Sequence, residues 1–111
     1  MLESEMLSKG LSFLENNKQY KIVKQEVPFL SRCIDVILIN EYDEIISIEF
    51  KVSKWRHAIE QAKNHKLGAD KAYICLPERN ISEVLKKAVA DAGIGLFLFD
   101  SSKDNVIYEA I

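Results

Sequence analysis

Three ionisable residues stand where a strand interior should exclude them: Asp35 within the run CIDVILI, and Glu49 and Lys51 within IISIEFKV. Charged side chains are rarely buried without a partner, because leaving water is expensive unless a counter-charge or hydrogen bonds replace it. Side chains alternate along a strand, so Ser47, Glu49 and Lys51 share one face while Ile46, Ile48 and Phe50 take the other. If the chain turns back through Asn40 to Asp43, Asp35 lies on the neighbouring strand within reach of Glu49. Two carboxylates converging in a partly desolvated cleft repel each other unless a cation or a proton sits between them. Mg2+, with Mn2+ as a substitute, takes one or two carboxylates together with waters and substrate phosphate, which suits Asp35, Glu49 and the main-chain carbonyl of Phe50. Such an ion lowers the pKa of a bound water and offsets charge on a phosphodiester under attack. Lys51 is placed to orient or activate that water, or to stabilise a developing oxyanion. Phosphodiester hydrolysis is the reaction these parts suit. The competing reading is a buried structural salt-bridge triad, which stabilises little relative to apolar replacements.

The elements that must position these residues can be read from periodicity. Residues 3 to 16 lack proline and carry Leu7, Leu11 and Leu14 at helical spacing, the stripe of an amphipathic helix. Tyr20 to Val27 reads as a strand closed by Pro28, and Arg32 to Ile39 as a second strand running into the turn-prone Asn40 to Asp43. Glu44 to Val52 is the third strand, and the short polar connection before it predicts an antiparallel hairpin. Helical spacing returns over Lys54 to Leu67, with Trp55, Ala58, Ile59 and Ala62 on one side and Gly68 as the stop. Lys71 to Leu76 is a short strand closed by Pro77. Asn80, with Glu83 three residues later, predicts a helix start that runs to Gly93. Ile94 to Phe99 is a fifth strand, and Val106 to Ala110 a final edge strand. The order α-β-β-β-α-β-α-β-(β) predicts an α/β domain with a mixed central sheet, a hairpin on one side, crossovers on the other and helices covering it.

Asp35, thirteen intervening residues, then Glu49-Phe50-Lys51 resembles the core motif of the PD-(D/E)XK, or restriction-endonuclease-like, nucleases, and the α-β-β-β-α-β order is similar to their common core. The resemblance covers roughly residues 4 to 77, with Ile34 standing where the motif's name puts proline. It implies that Asp35 and Glu49 bind Mg2+ and that Lys51 assists the attack of water. It further implies a glutamate from the first helix, for which the Ser4-Glu5 segment stands, and a glutamine in the helix after the lysine, which here is Gln61. Glu5 falls beside the apolar arc of its helix, so Glu3 or Glu26 is an alternative for that role, and a plain helix-dipole acid is another reading of Glu5. Gln61 has its own alternative as a polar residue on a solvated helix face. A non-cleaving nuclease-fold subunit that binds nucleic acid or a partner protein is the second expectation; members of that kind usually lose part of the triad, and this chain keeps all three.

Composition bounds these readings. One hundred and eleven residues make one domain, and 48% hydrophobic with 29% charged residues excludes disorder, collagen-like repeats and a membrane span. Net charge is only -2, so no global basic field recruits nucleic acid, and a local patch must do so. Residues 51 to 71 hold six basic residues (Lys51, Lys54, Arg56, Lys63, Lys66, Lys71) against Glu60 and Asp70, a local balance of +4. Lys54, Arg56, Lys63 and Lys66 are the expected phosphate contacts, with DNA the expected nucleic acid. Ser53, His57, Asn64 and His65 add donors there, while His57 and His65, eight apart, do not make a metal pair. Trp55 and Tyr73 are expected in the core. Cys33 and Cys75 lie in apolar runs without metal spacing and are expected as small buried hydrophobes. The N-terminal segment lacks the apolar stretch of a signal peptide, so cytoplasmic residence is expected and no membrane partner. No repeat or low-complexity segment is present. With no separate DNA-reading element in view, a homodimer or a place in a larger assembly is expected to supply grip.

Overall fold

The computed structural model describes residues 1 to 29 and 32 to 111. Helix α1 (Glu3–Glu15) is followed by strands β1 (Tyr20–Phe29), β2 (Arg32–Asn40) and β3 (Ile45–Phe50), helix α2 (Trp55–His65), strand β4 (Lys71–Pro77), helix α3 (Glu83–Ala92), strand β5 (Gly95–Asp100), a short 3-10 turn and strand β6 (Val106–Glu109). One sheet contains all six strands in chain order. The pairs β1–β2, β2–β3 and β5–β6 are antiparallel, whereas β3–β4 and β4–β5 are parallel, each crossing over through a helix. The expected hairpin and crossovers therefore both form. No helix among the described residues is long and apolar enough to cross a membrane.

Alternation along the strands divides the core in two. Val36, Leu38, Ile46, Ile48, Phe50, Tyr73, Cys75, Phe97 and Phe99 pack with Met6 and Leu14 of α1 on one side of the sheet. Ala72, Ile74, Leu76, Leu96 and Leu98 meet Ala58, Ile59 and Ala62 of α2 and Leu85 and Val89 of α3 on the other. Trp55 packs at the edge of this second cluster and Tyr73 stacks on Phe97 with ring centroids 4.2 Å apart, so both are core residues as expected. The inner face of α1 is Met6, Gly10 and Leu14, with Leu7 and Leu11 only partly buried at its flank. Gly10 belongs there because a Cβ would lie 2.8 Å from Ile107 and 2.9 Å from Phe50. This rotates the helix relative to the leucine stripe and decides which of its acids faces the sheet.

Several expected details are corrected. Pro28 does not close β1, since it pairs with Cys33; β1 is an edge strand, where a missing N–H is tolerated. Helix α3 starts later than Asn80 predicts, because Ser82 is the N-cap and its Oγ accepts from Leu85 N at 3.1 Å. Cys33 is exposed while Cys75 is buried. The reason is geometric: pairing of β2 with β3 ends at Val36 opposite Ile48, so the first residues of β2 overhang β3 and have strand cover from β1 alone.

The β2–β3 register is pinned by its turn. Asn40 Oδ1 accepts from Tyr42 N at 2.9 Å and Glu44 N at 3.0 Å, and its Nδ2 donates to Glu44 Oε1 at 2.9 Å. Asp43 supplies the left-handed residue the turn requires, with φ 62°. A slip of one residue would turn Asp35 to the opposite face. Asn40→Ala should therefore cost about 1 kcal/mol through the lost turn hydrogen bonds, read as a lower urea midpoint at unchanged slope; an unaltered midpoint would show that the register is held elsewhere.

Candidate active site

Continuing the β2–β3 register one pair beyond Val36 and Ile48 carries Asp35 to the row of Glu49. Antiparallel neighbours in one row point to the same face, here the face covered by α2. Where the ladder stops, the Asp35 side chain takes over, with Oδ2 accepting from Phe50 N at 2.9 Å. The next N–H, of Lys51, returns to the main ladder by donating to Cys75 O at 3.0 Å. Asp35, Glu49 and the main chain of Phe50 are thus brought together at the carboxyl end of β3, and the Phe50 ring is sent to the opposite core.

Glu49 is 6% exposed, and its Oε2 has no hydrogen-bond partner. Burial, then the charge of Asp35 and a hydrogen bond with it, push its pKa from an ordinary 4.5 up to about 9, while Lys51 pulls it down and Glu3 adds to the rise. Lys51 is half-buried and forms no ion pair among the described residues. The structural salt-bridge triad is therefore not formed: the amine lies near the acids without neutralising either one.

The remaining expected residues divide into those the fold gathers and those it does not. Gln61 is half-buried on α2 with its Oε1 unpaired. Glu5 is 48% exposed and reaches Lys9 at 3.8 Å, whereas Glu3 Oε1 accepts from Val52 N at 3.0 Å, just past the acid pair. Glu3 lies in line with Met6, Gly10 and Leu14, and Glu5 about 140° round the helix. The helix α1 acid beside the site is thus Glu3, a placement the buried stripe would have given had Gly10 been counted as an inner residue. Glu26 is exposed, with φ 52° on β1.

Of the four expected cation contacts, Lys54 stands closest in sequence to the acids, at the N-cap of α2 in a left-handed conformation with φ 55°. Arg56 lies over the Trp55 ring at 4.3 Å and Lys63 reaches Glu60 at 3.7 Å. Both line a groove against Ala88, Asp91 and Ala92 of α3, on the flank of α2 away from Gln61. Lys66 sits beyond the far end of the helix, near Gly93. These cations do not form one stripe beside the acid pair.

His65, expected only as a further donor on the basic segment, is instead buried beside the acid pair, a placement the sequence reading did not give. It is 4% exposed, on the buried face of α2, with Nε2 3.9 Å from Glu49 Oε2. Burial lowers its pKa, and the charge of Asp35 partly offsets this. The available signal was its i+3 spacing from Ala62, which continues the buried stripe through the last turn. Among the described residues no three acidic, histidine or cysteine side chains are gathered closely enough to hold a metal ion. A divalent cation would take its protein ligands from the Asp35 and Glu49 carboxylates, with the Phe50 carbonyl adjacent. The orphaned Glu49 oxygen beside a second carboxylate fits that role.

A carboxyl whose pKa rises on folding binds more protons in the folded state than in the unfolded one, so its contribution weakens as pH rises. For Glu49 the window runs from about 4.5 to about 9. Metal-free protein should therefore lose thermal stability across that range, and Glu49→Gln should flatten the loss and raise Tm at pH 8. Parallel Tm profiles for the two proteins would disprove the buried, protonated carboxyl.

No protein-family model and no curated protein matches the chain. Solved structures do. A protein of unknown function from Silicibacter pomeroyi superposes with TM-score 0.67 at 18% identity, over 99% of this chain and 70% of that one. A repair endonuclease from Pyrococcus abyssi gives 0.60 at 21% identity, over 86% of this chain and 46% of that one. EndoMS, solved in complex with double-stranded DNA, gives 0.63 at 19% identity, over 90% of this chain and 46% of that one. The chain thus spans just under half the length of each of these two endonucleases. What it shares with them is the fold: an α/β domain whose mixed six-stranded sheet is flanked by helices.

Proposed function

We propose that this chain is a metal-dependent nuclease module of the PD-(D/E)XK type that hydrolyses phosphodiester bonds in DNA, acting in repair, recombination or restriction. The observation that supports this best is the Asp35–Glu49 pair, two carboxylates in one partly desolvated row with an unpartnered oxygen. Mg2+, or Mn2+ in its place, would neutralise the pair and polarise the phosphate and the attacking water. Asp35 is fixed by the Phe50 N–H and so offers its remaining oxygen in a set direction. Lys51, unpaired and two residues from Glu49, presents an ammonium to the developing charge of the phosphate. Lys54 at the start of α2 is positioned for an adjacent phosphate, and Glu3 is the carboxylate of α1 nearest the site. The fold neighbours include a DNA-bound endonuclease, which supports nucleic acid as the partner. Grip beyond this small footprint is assigned to a second copy of the chain or to a larger assembly, in a cytoplasmic setting.

One observation favours a second reading, a non-cleaving nuclease-fold subunit that binds nucleic acid or a partner protein. Among the described residues the acid pair has no third acidic, histidine or cysteine side chain close enough to complete a metal site, and Arg56 and Lys63 face α3.

The two readings part in a cleavage assay on linear, circular, single-stranded and branched DNA with Mg2+ or Mn2+. The first expects cleavage that falls by about 100-fold or more in Asp35→Asn, Glu49→Gln and Lys51→Ala, each with a retained cooperative melt. It also expects Mn2+ to stabilise the wild type by about 2.7 kcal/mol at a hundred times its Kd. DNA binding without cleavage under every condition would leave the second reading standing and overturn the first.

A further inference from the structure

Four buried side-chain polar atoms among the described residues lack a hydrogen-bond partner: Ser47 Oγ, Glu49 Oε2, Gln61 Oε1 and His65 Nδ1. They share one seam. Ser47 and Glu49 are alternate residues on the α2-facing side of β3, and Gln61 and His65 are one turn apart on α2. The rest of that seam is apolar, with Ala58, Ile59 and Ala62 against Ala72 and Ile74. A buried orphan costs about 1–3 kcal/mol, so orphans in native structures are scattered and few. Their concentration behind one carboxylate of the acid pair points to a polar layer that is incomplete until the carboxylate is charged and held.

We propose that His65 is the positioning residue for Glu49: its Nε2–H donates to Glu49 Oε2, fixing that oxygen at the rear so that the other turns toward Asp35 and the cation between them. The inference rests on the metal-binding reading of the acid pair. The present separation is 3.9 Å, about 1 Å beyond a charge-assisted hydrogen bond, a gap that a small rotation of either side chain closes. A neutral imidazole has one N–H and one lone pair. Once Nε2–H is committed to Glu49, Nδ1 becomes an acceptor, and the unpaired Ser47 hydroxyl on the same seam is the donor it requires. Gln61, one turn back along α2, brings a second unpaired group. Carboxylates that bind a metal are commonly held in this way by an outer partner, whose loss weakens the metal about 10- to 100-fold. His65 touches neither substrate nor cation in this scheme. It acts through Glu49 alone.

The test measures Mn2+ affinity of the full chain without DNA, by water-proton relaxation, for wild type, His65→Ala and His65→Gln, the last keeping an N–H donor near the Nε2 position. The expected result is a Kd raised about 10- to 100-fold in His65→Ala and largely restored in His65→Gln. An unchanged Kd in His65→Ala, or an equal loss in both folded variants, overturns the proposal. Nitrogen-15 NMR of the imidazole in the Mg2+-loaded protein, where Glu49 is ionised, supplies an independent readout, expected to show the Nε2–H tautomer with a resonance that shifts in Glu49→Ala. An Nδ1–H tautomer overturns the proposal as well. If the wild type binds no Mn2+, the metal reading fails and the proposal falls with it, an outcome distinct from wild-type binding that His65→Ala leaves unchanged.

Discussion

Like charges in one strand row set the terms for the rest of this structure. Asp35 and Glu49 reach each other because β2 and β3 pair in a register that a single asparagine turn holds, and because the ladder ends just before them. Where main-chain pairing stops, the Asp35 carboxylate accepts the Phe50 N–H in place of a strand carbonyl. The arrangement satisfies a backbone donor and places an acid at the same time. Without a cation the repulsion is relieved by a proton, which is why burial and the neighbouring carboxylate push the Glu49 pKa so far up.

An unfavourable row of this kind persists only inside a frame that over-determines it. The two apolar clusters supply that frame. Phe50 is anchored beneath α1 while Glu49, its neighbour, faces α2, so strand alternation alone converts one residue of separation into two environments. Gly10 lets α1 approach Phe50 and Ile107 closely, and this close seat brings Glu3 onto the Val52 N–H beyond the acid pair. On the other side, Ala58 and Ala62 let α2 sit low on the sheet, and the same seating carries His65 to Glu49. Small residues on both helices thus decide which polar groups surround the acids.

The fold is shared with structures that include two endonucleases, at identities too low to carry chemistry across and over just under half the length of each. The case for hydrolysis therefore stands on the acid pair and the free amine of this chain. The cations of the basic segment are spread out: Lys54 lies at the N-cap of α2, while Arg56 and Lys63 line the groove between α2 and α3.

Much of this was legible in the residues themselves. A charged residue inside a β-branched run is a strong local signal, and period-two alternation put Glu49 and Lys51 on one face and Phe50 on the other without knowledge of the fold. The short polar turn predicted the hairpin, and the helical periods predicted both crossovers. Strand ends at Pro28 and the helix start at Asn80 were misread because an edge position and a better-placed serine cap override local preference. The burial of Cys33 was misread because an apolar run does not disclose how far one strand overhangs the next. For Glu3 and His65 helical spacing offered a face but not a partner: which acid of α1 faces inward depends on how deeply Gly10 lets the helix sink, and which donor of α2 meets Glu49 depends on where that helix crosses the sheet. Strand chemistry is written in nearest neighbours, whereas the company those strands keep is set by packing between elements far apart in the chain.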